Sequence, residues 1–264
     1  MNFRKFCIKH LNLLTVIPSI VFGVALSMIF YPDPAGAAYG GAGAVILMFL
    51  ISFAIRRFNL HFMKAAEKKL NDECDPYPTI DELKLYIECA GRRMSKTGLN
   101  VTLAMMKTLS GDFAGAEELF RSFDVDDASA LPDEARAGIL YNLSSLYCSM
   151  NLPAHAVDCY DRAKALFSSL AESRRERMKF DGPTDAEVEC YKGNVSQALE
   201  MLGAIEPENR FHETVKRFAL AKVLYIAGKR DEARREFDWV AKNGGRLNCA
   251  EESAEILDAM EKAE

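Results

Sequence analysis

Residues 151–160 read NLPAHAVDCY, and the spacing of this stretch occurs three more times along the chain. Each copy has a Gly or Asn, four residues, an Ala, three residues and a bulky apolar residue. The copies are GDFAGAEELF (111–120), NLPAHAVDCY (151–160), GNVSQALEML (193–202) and GKRDEARREF (228–237). Gly and Asn tolerate the left-handed backbone that ends a helix, and a small Ala lets a second helix pack closely. The bulky residue, one turn after the Ala, extends the same face. The pattern therefore predicts four pairs of helices.

The sequence around these copies has helical periodicity. From about residue 80 onward, apolar residues recur at helix spacing, and Gly, Asn or Pro separate segments of helix length. Residues 80–264 are therefore predicted to be all-α. The last segment, AEESAEILDAMEKAE at 250–264, is expected to form a helix that caps the final pair with a charged outer face.

The unit at 137–170 has its large, aromatic and small residues at positions typical of a known repeat. These residues are Leu140, Leu143, Tyr147, Ala156, Tyr160 and Ala163. In this pattern the chain resembles the tetratricopeptide-repeat (TPR) family, whose 34-residue unit forms two antiparallel helices. The unit at 214–247 fits nearly as well, and the unit at 97–130 fits except at Lys107, where the family has an aromatic residue. The third unit has a short first helix, DAEVECYK (185–192). The resemblance implies an α-solenoid of about four helix hairpins plus the capping helix.

In a TPR-like solenoid the first helices line a concave face that binds partners. The resemblance places eight candidate residues of a protein-binding groove on that face: Met105, Tyr141, Asn142, Ser145, Cys148, Phe218, Lys222 and Tyr225. Aromatic residues, a Met and an amide suit a peptide or a partner helix. Some members of the family hold a C-terminal carboxylate with basic and amide groups, to which only Asn142 and Lys222 would contribute here. A second interpretation is that several of these residues pack between neighbouring units.

Two uncharged apolar runs stand near the N-terminus, LNLLTVIPSIVFGVALSMIF (11–30) and GAAYGGAGAVILMFLISFAI (36–55). Twenty helical residues span roughly 30 Å, the thickness of the hydrocarbon core of a bilayer. YPDP at 31–34 has turn-forming residues. Residues 11–56 are therefore predicted to form a transmembrane helical hairpin. Two alternatives stay open: an apolar hairpin buried in a soluble protein, and a signal peptide cleaved near Ala35-Gly36-Ala37.

Basic residues flank the two apolar runs, and the loop between them has none. Three lie in the first ten residues, and five lie between 56 and 69. The positive-inside rule then places 1–10 and the repeat domain 80–264 in the cytoplasm, with the hairpin in the cell membrane. Residues 57–79 are predicted to be a juxtamembrane helix and linker, whose basic residues favour anionic lipid head groups. DPYP at 75–78 is expected to end that helix.

The charge of the chain is polarised. Residues 1–72 contain eight Lys and Arg against three Asp and Glu, which leaves 25 basic and 35 acidic residues for the remainder. An acidic body argues against binding to nucleic acid. The seven cysteines are an odd number without a CxxC pair, which indicates reduced thiols that serve as small apolar residues.

Cys148, His155, Cys159 and Asp161 lie close together in sequence and suggest a metal site or an activated thiol. The repeat register separates them onto different faces, whereas a zinc site needs ligands that converge on one point. The sequence also has no GxxxxGK[ST], GxSxG or HExxH motif. We therefore predict no metal, no cofactor and no enzymatic activity.

Taken together, these patterns predict a membrane-tethered scaffold or adaptor that binds a protein or peptide partner. The alternative is a regulatory TPR protein that senses a peptide or small ligand. A compact apolar pocket would favour the sensor, and an open groove would favour the adaptor. An enzyme is the third option, and convergent polar groups in a pocket would support it.

Overall fold

The computed structural model describes residues 3–29, 36–89, 96–127, 129–172 and 182–262. Within these ranges it contains α-helices and no strand, which confirms the all-α prediction. The helices are α1 (Phe3–Lys9), α2 (Leu11–Ile29), α3 (Gly36–Glu73), α4 (Tyr77–Cys89), α5 (Thr97–Leu109), α6 (Phe113–Arg121), α7 (Asp133–Ser149), α8 (Pro153–Ser169), α9 (Pro183–Tyr191), α10 (Val195–Ala204), α11 (Arg210–Ile226), α12 (Arg230–Asn243) and α13 (Asn248–Lys262). The predicted turn at 31–34 lies outside the described residues, as does Ala35 of the alternative cleavage site.

The chain divides into two compact units, residues 1–66 with 82–96 and residues 67–81 with 97–264. Most of helix α3 lies in the first unit. Its segment Ala42–Glu73 is long and apolar enough to cross a membrane, judged by length and composition. Helix α2 contains a shorter apolar stretch, Leu14–Ala25, with Pro18 inside it. Among the described helices there is thus one candidate membrane span, where the sequence predicts two.

The second unit contains four pairs of helices, α5 with α6, α7 with α8, α9 with α10 and α11 with α12. The four turns inside these pairs share one geometry. Each turn has a residue with positive φ: 82° at Gly111, 53° at Asn151, 90° at Gly193 and 75° at Gly228. The next N–H donates to the carbonyl five residues earlier at 2.9–3.0 Å, from Asp112 to Lys107, Leu152 to Tyr147, Asn194 to Glu189 and Lys229 to Leu224. These bonds satisfy carbonyls that the end of a helix leaves free, as predicted for Gly and Asn at these positions.

The repeated Ala and bulky residues form the contacts inside the pairs. All four alanines are fully buried: Ala116, Ala156, Ala198 and Ala233. The bulky residues one turn later are at most 1% exposed: Phe120, Tyr160, Leu202 and Phe237. The ten-residue pattern therefore marks the points where the second helix of each pair enters the core.

Helix α13 follows the last pair and packs mainly on α12, with further contacts to α11. It also contacts α5, the first helix of the same unit. Near its start, Asn248 lies against the turn at Gly111, where a Cβ on the glycine would come within 2.5 Å of Asn248 Oδ1. The predicted capping helix therefore covers the last pair and also reaches the first one.

Residues 67–81 belong to the second unit and pack on the turn between α12 and α13. The N–H of Arg246 donates to the carbonyl of Cys74 at 3.0 Å, and the Arg246 guanidinium lies 4.0 Å from the centre of the Tyr77 ring. Cys74 is fully buried, and its Sγ is 3.5 Å from Thr214 Oγ1. The end of α3 is thereby part of the core of the second unit.

Gly245→Ala should destabilise the second unit more than the same change at Gly193. Both glycines have positive φ, 57° at Gly245 and 90° at Gly193. A Cβ at 245 would lie 2.2 Å from the carbonyl oxygen of Glu73, whereas a Cβ at 193 meets no atom within 4 Å. We expect a loss of about 1 kcal/mol for Gly193→Ala from the left-handed backbone alone, and about 2–3 kcal/mol for Gly245→Ala because steric strain adds to it. Thermal midpoints of the full chain in detergent measure both, and equal losses would contradict the close packing of residues 67–81.

Candidate binding cavity

The second unit contains a cavity of about 400 Å³ between the α7–α8 turn, the end of α11, the start of α12 and helix α13. Its lining is mainly apolar and includes one amide and three charged side chains. The lining residues are Asn151, Lys222, Tyr225, Ile226, Arg230, Phe237, Glu252, Ile256, Ala259 and Met260. Cavities of several hundred Å³ with few polar groups are typical of ligand sites. The volume suits a few side chains of a peptide or a small molecule.

A second cavity, of about 510 Å³, adjoins the first, and both are lined by Asn151 and Glu252. Its other lining residues are Phe113, Ser149, Met150, Asn248, Glu251 and Glu255. This part is more polar, since three glutamates of α13 line it. Burial raises the pKa of Glu252, while the Lys222 ammonium acts in the opposite direction. Together the two cavities form a recess with an apolar end and an acidic end.

Local sequence explains why these residues meet at the cavity. Asn151 occupies the left-handed position of the α7–α8 turn, and Tyr225 and Ile226 end α11 just before the turn at Gly228. Tyr225 and Ile226 are 45% and 52% exposed, high values for large apolar residues in a folded unit. On α13, Ile256 and Met260 are four residues apart and so share one face.

An ion pair between Lys222 and Glu187 lies beside the cavity. Both side chains are only 11% exposed. Lys222 Nζ also donates to the carbonyl of Cys148 at 2.9 Å and lies 5.4 Å from the centre of the Phe218 ring. Burial acts to lower the pKa of Lys222, but the charge of and hydrogen bond to Glu187, together with Tyr191 and Cys148, raise that pKa above its ordinary value. The ammonium therefore remains charged and links α11 to α9 and α7.

A second buried polar group, the Asp185 carboxylate, joins three elements. It is fully buried. Oδ2 accepts from the Tyr141 hydroxyl at 2.7 Å and from the N–H of Gly182 at 3.0 Å, and Oδ1 accepts from the Tyr160 hydroxyl at 2.6 Å. Burial is the main cause that raises the pKa of both tyrosines. The negative charge of Asp185 and the hydrogen bonds that it accepts raise this pKa further. Both phenols therefore stay protonated and act as donors.

The eight residues predicted for a groove lie in different environments. Lys222 and Tyr225 line the cavity. Met105 is 38% exposed, and Asn142 and Ser145 are half-buried. Asn142 Nδ2 donates to the carbonyl of Gly138 at 2.8 Å, and the Tyr141 hydroxyl is held by Asp185. Cys148 and Phe218 are 2% and 7% exposed, so their side chains belong to the core. Packing between neighbouring pairs, the second interpretation of these residues, applies to Tyr141, whose hydroxyl donates to Asp185 of the next pair, whereas the Phe218 ring contacts Phe237 of its own pair.

Sequence reasoning missed the other cavity residues, chiefly Arg230, Glu252, Ile256 and Met260. Three of these lie on α13, which the sequence presented as a cap and not as a wall of a recess. The spacing of Ile256 and Met260 shows that α13 has an apolar face. It does not show that part of this face remains unfilled beside Tyr225 and Ile226.

The four residues that suggested a metal or thiol site lie in different environments. Cys148 and Cys159 are buried, and burial raises the pKa of Cys159 to about 11. His155 is exposed, with its ring 5.3 Å from that of Tyr147, and Asp161 pairs with Lys192 at 2.6 Å. In the described ranges, no three His, Cys, Asp or Glu side chains are arranged to hold a metal ion.

Comparisons with known proteins give no match: no family model, no curated protein and no solved structure matches this chain.

Proposed function

We propose that this chain is a membrane-tethered TPR-like scaffold that binds a protein or peptide partner in the recess between the α7–α8 turn, α11 and α13. The observation that carries the proposal is the recess itself. Tyr225 and Ile226 are large, apolar and about half exposed at a concave site, where a partner would cover them. The repeated turns and buried alanines support the TPR-like character of the unit.

The chemistry of the recess favours recognition by side-chain burial. Ile226, Ile256 and Met260 offer apolar surface, and Met adapts to different partners. Arg230 and Glu252 add groups of opposite charge, which would orient a bound peptide. In this proposal the protein brings its partner to the membrane, and the gain is a higher local concentration rather than a chemical step.

A regulatory sensor is the second candidate, because the apolar end of the recess is compact, although the adjoining polar cavity extends the recess toward a groove. Its apolar part, at about 400 Å³, falls in the size range of small-molecule sites. A sensor would bind an amphipathic small ligand there, with Arg230 or Glu252 meeting its polar end. Binding of a peptide but of no small ligand at the recess would favour the scaffold.

The proposed anchor is a two-span hairpin of residues 11–56, with both termini in the cytoplasm and the protein in the cell membrane. The long apolar helix within α3 supports the second of these spans, and Phe49 and Phe53 on it are 66% and 64% exposed. Large apolar side chains exposed in water are unfavourable, whereas lipid accommodates them.

Extraction and labelling test the anchor. The full chain should stay in the membrane pellet after alkaline carbonate treatment, and a chain without residues 11–56 should be released. For topology, Glu208→Cys in the exposed segment between α10 and α11 should react with an impermeant maleimide only after the cells are opened. The native Cys249 is a poor probe, since burial raises its pKa to about 12.

Asp33→Cys, between the two apolar runs, is the matched control and should react in intact cells. Carbonate release of the full chain would contradict the anchor. Reaction of Glu208→Cys in intact cells would contradict the cytoplasmic position of the repeats.

A further inference from the structure

One face of α3 changes from apolar to basic within a single turn. Ile46, Leu50 and Phe53 are 60%, 60% and 64% exposed, and they follow one another at intervals of four and three residues. Arg57, His61 and Lys64 continue the same progression at intervals of four, four and three residues, and all three are exposed. At 100° per residue these six positions stay within an arc of about 80°. They form one continuous strip along the helix.

The opposite face of the helix is buried at the level of the basic residues. Asn59 and Ala66 are 8% and 4% exposed, and they lie on the far side from Arg57 and Lys64. At this level one face of the helix is buried, and the basic strip faces outward. None of the ion pairs between described residues involves Arg57, His61 or Lys64.

We propose that Arg57, His61 and Lys64 form a binding site for the head groups of anionic lipids, at the level where α3 leaves the hydrocarbon core. The proposal rests on the membrane anchor proposed above. It narrows the general expectation that the basic residues of 57–79 favour anionic lipid head groups to three residues on one face of α3. The proposal depends on the continuity of the strip, because a helix face that contacts lipid tails at Phe53 reaches the head groups one turn later.

Dimensions agree with this assignment. Arg57 and Lys64 are seven residues apart, or roughly 10 Å along the axis. A head-group layer is about 5–8 Å thick, and long Arg and Lys side chains extend several Å toward it. Both charges therefore reach the negative surface, and His61 adds an N–H donor between them. A charge is attracted to an anionic surface within about one Debye length, some 8 Å at physiological salt.

Spin-labelled lipids test the site with the full chain reconstituted into phosphatidylcholine bilayers. Electron paramagnetic resonance gives the fraction of lipid that is immobilised by the protein, for labelled phosphatidylserine and labelled phosphatidylcholine. We expect the wild type to prefer phosphatidylserine by about fivefold at low salt, and this preference to fall in 1 M salt. Arg57→Gln/Lys64→Gln should reduce the ratio to about one.

The matched control is Arg121→Gln/Lys242→Gln, which removes two charges from the repeat unit. Those side chains are 73% and 70% exposed, and the control should keep the wild-type preference. Immobilised lipid without preference for phosphatidylserine, or a preference kept by Arg57→Gln/Lys64→Gln, would overturn this site and leave the anchor intact. Absence of immobilised lipid together with carbonate release would overturn the anchor and the site with it.

Discussion

Asp185→Ala is expected to lower the stability of the repeat unit by about 3–5 kcal/mol. The change removes the acceptor of two buried phenols and one backbone N–H, at distances of 2.6–3.0 Å. Tyr141 and Tyr160 come from both helices of the second pair, and Gly182 precedes α9. Loss of the carboxylate therefore removes the acceptor that these three donors share and weakens the link between the third pair and the second.

Thermal unfolding of the full chain in detergent measures this loss. For a unit of this size a loss of about 4 kcal/mol corresponds to a fall in the midpoint of roughly 10 °C. Asp161→Ala is the matched control, because Asp161 is 55% exposed and its ion pair with Lys192 is worth less than about 1 kcal/mol. Similar midpoints for both variants would contradict the role of Asp185.

The hydrogen bonds of Tyr141 and Tyr160 to Asp185 also make the stability of the second unit depend on pH in the alkaline range. The folded-state pKa of Tyr141 and Tyr160 is raised above the unfolded value. Their contribution is therefore fully present below about pH 10, the ordinary pKa of tyrosine, and is lost as the pH rises through the folded-state values. Stability should accordingly begin to decline above about pH 10.

Replacing only one partner of the Lys222–Glu187 pair, whichever it is, should lower the free energy of unfolding by about 3–5 kcal/mol. Each partner is only 11% exposed, so the remaining charge would be buried without its counter-ion. Replacing both, as Glu187→Leu/Lys222→Met, removes both charges and fills their volume. We expect the double variant to be closer to the wild type than either single variant.

A double-mutant cycle by thermal and urea unfolding measures this coupling. The exposed pair Asp238–Lys242 is the matched control, with side chains 51% and 70% exposed, and its coupling should be below about 0.5 kcal/mol. Additive losses at Lys222 and Glu187 would contradict the pair as the link between α11 and α9.

The second unit shows which features local sequence predicts. Gly111, Asn151, Gly193 and Gly228 mark turns because their backbone conformation is a local property, and the structure has positive φ at all four. The buried alanines follow from the same ten residues. The buried role of Asp185 was not predictable from the degenerate third unit, because an acidic residue near the start of a short helix normally faces solvent. Its partners Tyr141 and Tyr160 are 44 and 25 residues away.

The candidate site was predictable only in part. Tyr225 and Lys222 lie on a first helix, where the repeat pattern points to a concave surface. Cys148 and Phe218 lie on first helices as well, yet both are buried. The missing information is the position of α13, which brings Glu252, Ile256 and Met260 to the recess. Contacts from α13 to α12 and α5 set that position, and no short stretch of sequence encodes them.

Affinity capture from detergent-solubilised membranes most directly tests partner binding at the recess. The test variant is Ile226→Asp/Arg230→Glu, since both side chains are exposed and line the recess. The matched control, Arg121→Glu/Lys242→Gln, changes the net charge by the same amount at residues away from the recess. We predict that a protein partner captured by the wild type and the control is lost with the test variant, while all three chains keep the same helical circular dichroism. A partner retained equally by the test variant and the control would contradict binding at this recess.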